Sequence, residues 1–220
     1  MSTVLVKTFS APPLCEREIL RYAGSHATDQ NVTGLLQQCL DELGNRLSYK
    51  VCFLELPVHT DTSGCDFGCF SVPSAKLSAN LSGCQWCLVF GATIGIEIDR
   101  LIARYGRIAP AKALLFQAIG AERIEALCDA FCAEYEREYG VTLRPRFSPG
   151  YGDLPLDTQR DLFSVLDCSR KIGLNLTESL LMMPSKSVTA FAGIGNHSTS
   201  TNRNKCDFCD NRDCTFRSIV

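Results

Sequence analysis

Length and composition favour one sizeable domain with a short appendage. The chain has 220 residues, of which 45% are hydrophobic and 21% are charged, enough to bury a substantial core. A formal net charge of -2, with scattered basic residues, gives no electrostatic basis for binding nucleic acid. Because no apolar run is long enough to cross a bilayer and the first residues lack a secretory signal, we expect a cytoplasmic protein without a membrane partner.

Hydrophobic periodicity predicts strands and helices in irregular order. Apolar and β-branched runs predict strands at residues 3–9, 49–58, 67–72, 86–92 and 187–191. Apolar residues at three- and four-residue spacing predict helices from residue 12 or 13 to 22 and at 33–47, 94–105, 110–139 and 157–166, the fourth interrupted near Gly120. This order lacks the regular alternation of a doubly wound fold and predicts an α+β domain with a mixed, mainly antiparallel sheet and packed helices. We place this domain at residues 1–195 and a cysteine-containing tail at residues 196–220.

Cysteines are numerous, with 13 in the chain. Six of them fall on helical or strand patterns or at a strand entry, namely Cys39, Cys52, Cys84, Cys87, Cys128 and Cys132. In such places a thiol packs as a small apolar side chain. We therefore expect these six to be structural.

Three cysteines near the C-terminus form a different kind of group. Cys206, Cys209 and Cys214 lie in a polar segment without apolar periodicity, so core packing does not account for them. Closely spaced thiolates bind zinc or an iron–sulfur cluster. The pattern predicts either such a metal centre or a tail of free or redox-active thiols. The candidates for a fourth ligand are an exogenous group and two cysteine pairs, Cys65 with Cys69 and Cys84 with Cys87.

A turn with an unusual set of side chains occupies residues 146–151. Pro149 fixes one backbone torsion and Gly150 admits positive φ, so the chain can reverse sharply and point its amides at a ligand. Arg146 offers a planar fork of donors for a carboxylate, and Tyr151 offers a stacking face and a hydroxyl. These groups suit an amino-acid carboxylate held beside an adenine, and they predict a small-molecule site.

A second polar segment follows the turn. It reads Leu-Thr-Glu-Ser at residues 176–179, then a methionine and a proline at 183–184 and Ser-Val at 187–188, with hydroxyls suited to satisfying open backbone groups. Together with the Arg-Phe-Ser-Pro-Gly-Tyr turn, this pattern resembles the activation domain of cobalamin-dependent methionine synthase. In that family the domain binds S-adenosylmethionine and caps the cobalamin during reductive remethylation, with flavodoxin as the electron donor.

The resemblance implies roles for particular residues. Ser148, Gly150 and Tyr151 would belong to the S-adenosylmethionine loop together with Arg146, which would hold the methionine carboxylate. An acid on the preceding helix contacts the amino group of the ligand in that family. Asp129 is the best match for this acid, and Glu125 is the alternative one turn away.

The sequence contains no cobalamin-binding motif of the kind found in that family. Its histidines, His26, His59 and His197, occur in no Asp-x-His-x-x-Gly arrangement, the pattern that supplies an axial cobalamin ligand in that family. We therefore expect a freestanding activation component rather than a complete methyltransferase. It would act on the cobalamin of a partner, either a corrinoid protein or a methionine synthase lacking its own activation domain, with a flavodoxin- or ferredoxin-type electron donor.

Two other functions are compatible with the same residues. The first is a redox protein that uses an iron–sulfur cluster or another metal at the C-terminal cysteines to reduce a corrinoid partner. The second is a regulatory binding domain that keeps the fold without the ligand.

Overall fold

A computed structural model of the chain describes residues 3–25 and 30–195. Within those residues the strands are Leu5–Phe9 (β1), Tyr49–Pro57 (β2), His59–Thr60 (β3), Cys65–Asp66 (β4), Ser71–Val72 (β5), Trp86–Thr93 (β6), Thr142–Leu143 (β7), Asn175–Leu176 (β8), Met182–Met183 (β9) and Ser187–Gly195 (β10). The helices are Glu16–Tyr22 (α1), Gln30–Leu43 (α2), Ala75–Leu81 (α3), Glu97–Tyr105 (α4), Pro110–Tyr139 (α5), Thr158–Leu166 (α6) and Cys168–Ile172 (α7). Helices and strands follow one another in the irregular order that the sequence predicts.

One five-stranded sheet organises the domain, with the strand order β1-β2-β6-β10-β7. Every ladder in this sheet is antiparallel. The last of the described strands, β10, lies in the interior of the sheet between β6 and the short β7. The predicted α+β class with a mainly antiparallel sheet is confirmed.

Both faces of the sheet are buried, each under its own layer of helices. Along β6, Leu88, Phe90 and Ala92 belong to a core that also contains residues of α1, α2, α4 and α5. Cys87 and Val89 alternate with them and face a second core, shared with α3, α6 and α7. Burial on both faces explains why β6 reads as a continuous apolar run.

Helix α5 is the longest helix in the layer formed by α1, α2, α4 and α5. It is 30 residues long, begins at Pro110 and ends before Gly140, which adopts the left-handed conformation that favours glycine at a helix C-terminus. Phe131 of α5 packs against Phe53 of β2 and Phe90 of β6, with ring centroids 5.1 Å apart in each case. Among the helices of residues 3–25 and 30–195, none combines the length and the hydropathy needed to span a membrane.

The structure corrects several predicted elements. The strand predicted at residues 67–72 is wrong, because Gly68 has a φ of +79° and a turn there separates β4 from β5. The break predicted in α5 near Gly120 is also wrong, since the helix continues through that residue. The short helices α3 and α7 were not predicted. Helix α1 begins at Glu16 rather than at the prolines before it.

Candidate functional site

The segment that carries Arg146 lies along the outer edge of β10. Arg144 donates its backbone N–H to the carbonyl of Gly193 over 2.8 Å, and Phe147 exchanges two backbone hydrogen bonds with Phe191 at 2.9 and 2.8 Å. Phe147 belongs to the core on the side of α6. Since side chains alternate along an extended segment, Arg146 points to the opposite face, where it meets α5.

Arg146 forms ion pairs with both acids proposed for the site. Its Nη1 lies 2.5 Å from Oδ1 of Asp129, and its Nη2 lies 2.8 Å from Oε2 of Glu125. The Arg146 side chain is only 11% exposed, whereas Asp129 is 63% and Glu125 is 40% exposed. The guanidinium is therefore covered while both carboxylates reach solvent, so the three predicted residues form one charged cluster.

Two thiols complete the surroundings of the guanidinium. Nη1 of Arg146 lies 3.9 Å from Sγ of Cys132. Burial opposes the positive charge of Arg146, but neighbouring side chains of α5, the carboxylates of Asp129 and Glu125 among them, outweigh it and raise the guanidinium pKa above its ordinary value. One face of α5 supplies these neighbours, because three- and four-residue spacing, which is visible in the sequence, separates Glu125, Cys128, Asp129 and Cys132.

The turn after Arg146 has the predicted shape but not the predicted use of its amides. Gly150 has a φ of +86°. The N–H of Gly150 donates to the carbonyl of Leu154 over 2.9 Å, and the N–H of Tyr151 donates to the carbonyl of Ser148 over 3.1 Å. Because these bonds lie within the turn, the prediction that its amides point at a ligand is wrong for Gly150 and Tyr151. These hydrogen bonds hold the turn in its conformation, so its side chains rather than these two amides are the groups available for a ligand.

Tyr151 is the exposed aromatic residue of this turn. It is 36% exposed, and its ring meets the ring of Phe147 edge-on, with the centroids 5.3 Å apart. Phe147 is buried and so fixes the position of the tyrosine. The ring lies five residues from Arg146 in sequence, and aromatic rings of this kind can stack with flat ligand groups.

The second polar segment forms the hairpin of β8 and β9. Its turn is closed by the side chain of Thr177, whose Oγ1 accepts the N–H of Leu181 over 3.0 Å. Ser187, at the start of β10, donates its hydroxyl to the carbonyl of Pro184 over 2.8 Å. The prediction that hydroxyls of this segment satisfy backbone groups is confirmed. Arg160 of α6 donates to the carbonyl of Glu178 over 3.1 Å and so ties the hairpin to α6.

Asp153, just after the turn, caps helix α3. Its Oδ1 accepts the hydroxyl of Ser74 over 2.5 Å, its Oδ2 accepts the backbone N–H of Lys76 over 3.2 Å, and the Ser74 Oγ accepts the N–H of Leu77. These contacts lower the pKa of Asp153 below its ordinary value, and the hydrogen bond from the Ser74 hydroxyl has the largest effect. The segment just after the turn and α3 are thus fixed to each other.

We expect Asp153→Asn to lower the free energy of unfolding by about 1 kcal/mol at pH 7, as for an exposed helix cap. Because the pKa of Asp153 is lower in the folded than in the unfolded protein, its contribution is present above about pH 4 and is lost as the pH falls through the folded-state pKa. Urea unfolding of both proteins at neutral and acidic pH measures this difference. An equal difference at both pH values would contradict the role of the charge.

The cysteines predicted to be structural are buried or partly buried, as expected. The cysteines proposed as metal ligands, Cys206, Cys209 and Cys214, lie outside the described residues, and that role stays a prediction. Within residues 3–25 and 30–195, no group of three or more histidine, cysteine, aspartate or glutamate side chains is arranged to hold a metal ion. Of the proposed donors of a fourth ligand, Cys65, Cys84 and Cys87 are buried and Cys69 is exposed.

Comparison with known proteins places the chain in a family. The family model of the vitamin B12 dependent methionine synthase activation domain matches residues 79–208, more than half of the chain. Among solved structures, the crystal structure of the MetH reactivation domain bound to AdoHcy has a similar fold, with a TM-score of 0.64 and 14% sequence identity. That similarity covers 91% of this chain and 80% of the other. No curated protein matches the sequence. By the extent of the family match, the chain belongs to the activation domain family of vitamin B12 dependent methionine synthase.

Proposed function

We propose that the protein binds S-adenosylmethionine at the cluster of Arg146, Glu125 and Asp129 and supports reductive remethylation of a corrinoid held by a partner protein. The observation that carries this proposal is the covered guanidinium of Arg146 between two solvent-accessible carboxylates. Family membership supports the corrinoid partner. The structural neighbour, which has AdoHcy bound, supports a ligand of the adenosyl amino acid type.

The zwitterionic end of the ligand fits this cluster by replacing one of its ion-pair partners. The ligand carboxylate takes the place of the Asp129 carboxylate at Nη1 of Arg146, and the ligand ammonium group then pairs with Asp129. One ion pair is replaced by two, and no charge is left without a partner. Glu125 keeps its contact with Nη2 at 2.8 Å and so holds the guanidinium in place while Asp129 changes partner.

The other end of the ligand would lie towards Tyr151. Its ring contacts Phe147 edge-on, the residue is 36% exposed, and a tyrosine ring can stack with an adenine. A ligand bound at both ends presents its methyl group in a fixed direction. Since the partner's cobalt supplies the nucleophile and S-adenosylmethionine supplies the methyl group, this protein contributes mainly by holding the two in line.

Exposed apolar side chains beside the turn and on the β8–β9 hairpin support a protein partner that covers them and excludes water from the methyl transfer. Leu156 is 43% exposed and packs beside Gly150, and Leu181 and Met183 of the β8–β9 hairpin are 66% and 54% exposed. Exposed apolar groups of this size favour burial against another surface. We propose that this surface faces the corrinoid partner.

Calorimetry with S-adenosylmethionine tests the ligand. We expect saturable binding by the wild-type protein, competition by S-adenosylhomocysteine, and binding at least about 10-fold weaker for adenosine, which lacks the zwitterion. Equal affinity for adenosine and S-adenosylmethionine would show that the charged cluster does not contribute to binding.

A second experiment tests the part of the protein in remethylation. A cob(II)alamin-loaded corrinoid protein is methylated with a flavodoxin-type reductant, and its visible spectrum follows the reaction. No acceleration by the protein in that assay would reject its part in remethylation.

A further inference from the structure

Two thiols meet beneath helix α7, away from the ligand site. Sγ of Cys52, in β2, lies 3.8 Å from Sγ of Cys168, the first residue of α7. Both residues have no exposed surface. The two are 116 residues apart in sequence, so the fold alone brings them together.

The backbone next to the pair leaves room for the sulfur atoms. Gly91 of β6 is the partner of Cys52 in the ladder. A Cβ placed on Gly91 would lie 3.0 Å from Sγ of Cys168 and 3.4 Å from Sγ of Cys52. Any larger residue there would push the thiols aside, so the glycine allows the two sulfur atoms to meet.

Helix α7 is a thin cover over the pair. It has only five residues, and both of its flanking residues are in the left-handed region, Asp167 with a φ of 49° and Gly173 with a φ of 71°. The three residues between Cys168 and Ile172 are exposed, so the solvent lies directly behind the helix. A disulfide bond is about 2.05 Å long, so the two sulfur atoms, which lie 3.8 Å apart, must approach each other. We infer that α7 is the element that moves, because it is short and its outer side faces solvent.

We propose that Cys52 and Cys168 form a redox site, in which a two-electron oxidant of the peroxide class converts the two thiols to a disulfide that ties α7 to β2. The sulfur of one cysteine attacks a peroxide oxygen, giving a sulfenic acid and one water molecule. The sulfur of the other cysteine then attacks the oxidised sulfur and displaces a second water molecule. Two thiols and one hydrogen peroxide thus give one disulfide and two water molecules.

The geometry does not distinguish the two thiols, since either sulfur can donate the hydrogen bond that joins them. The sulfenic acid can therefore form on either cysteine, and the thiol of the other cysteine resolves it. A bond that closes a loop of this length stabilises the folded state mainly by restricting the unfolded chain.

Mass spectrometry of the full chain tests this site. The reduced protein is treated with N-ethylmaleimide under native conditions to block accessible thiols, then with hydrogen peroxide, and is finally denatured and digested without reduction. We expect one cross-linked peptide pair that contains Cys52 and Cys168, together with a rise in melting temperature of about 5 °C or more. Both effects should reverse on addition of a dithiol reductant.

Matched variants separate the pair from other buried thiols. Cys52→Ala and Cys168→Ala should each abolish the cross-link and the rise in melting temperature, whereas Cys39→Ala, which removes another fully buried thiol, should keep both. If the wild-type protein keeps both thiols free under peroxide, or if either residue links to a different cysteine, the proposal is overturned. That measurement needs no variant and holds even if a substitution prevents folding.

Discussion

Replacing Arg146 with alanine is expected to weaken the binding of S-adenosylmethionine about 100-fold or more. Arg146 is 11% exposed and is the group to which we assign the ligand carboxylate. A charge-assisted contact in a covered site contributes about 2–5 kcal/mol when one partner is removed. The variant also leaves Glu125 and Asp129 without their guanidinium, so the ligand ammonium would have a partner but the carboxylate would not. Calorimetry of the two proteins measures the change.

Two further substitutions make this result specific. Arg146→Lys keeps the positive charge but loses the planar fork, and we expect it to restore only part of the affinity. Glu125→Gln keeps an oxygen that can accept from Nη2, so it should change affinity less than about threefold. Since Glu125 and Asp129 reach solvent, Arg146→Ala should remain folded by circular dichroism. Equal binding by wild type and a folded Arg146→Ala would remove the cluster from the site.

Local sequence signals predicted the elements that place this cluster, but not their arrangement. The sequence identified α5 and the strands that became β6 and β10 because each has a long, regular apolar pattern. It could not show that β10 lies between β6 and β7, because strand order depends on pairing between residues far apart in sequence. That order brings Arg146 alongside α5.

Gly120 illustrates how one residue type supports two interpretations. A glycine inside a helical pattern predicts a break, because glycine weakens a helix. In the structure a Cβ at Gly120 would lie 2.8 Å from Cγ of Lys186 and 2.9 Å from Cγ2 of Ile98. The glycine is therefore needed for close approach to other elements, and this requirement is visible only once the chain is folded.

The family resemblance, rather than spacing, predicts the residues of the charged cluster, but as separate ligand contacts and not as ion pairs with one another. Glu125 is an alternative to Asp129 because the match to the family can shift by one turn of the helix. The structure shows Arg146 paired with both, since its guanidinium has two ends. Cys128 and Cys132 were interpreted only as packing residues, and their place beside the guanidinium follows from the path of residues 144–147 along β10.

A second large effect is expected from Arg123→Met, which should lower the free energy of unfolding by about 3–5 kcal/mol. The side chains of Arg123 and Glu122 are 4% and 5% exposed, and Nε of Arg123 lies 2.5 Å from Oε2 of Glu122. Arg123 also donates to the carbonyls of Pro12 and Pro13, each over 2.7 Å. The substitution removes these donors and leaves the Glu122 carboxylate buried without its cation. Urea unfolding, together with a melting temperature lower by about 6–15 °C, measures the loss.

A double variant of Glu122 and Arg123 separates two causes of this instability. One is the buried charge of Glu122, and the other is the loss of hydrogen bonds between α5 and the Pro12–Pro13 segment. In Glu122→Met/Arg123→Met no charge remains buried, so the double variant should be more stable than Arg123→Met alone. Both proline carbonyls still lack their donor, and the N–H of Cys15 loses Glu122 as its acceptor. Arg100→Met is the surface control, because Arg100 is 68% exposed in its pair with Glu97 and its loss should cost less than about 1 kcal/mol. If the double variant were as unstable as Arg123→Met, the backbone contacts of this pair to Pro12, Pro13 and Cys15 would carry the effect and the buried Glu122 charge would not. The first helix of the domain, α1, would then depend on hydrogen bonds from α5 rather than on charge neutralisation.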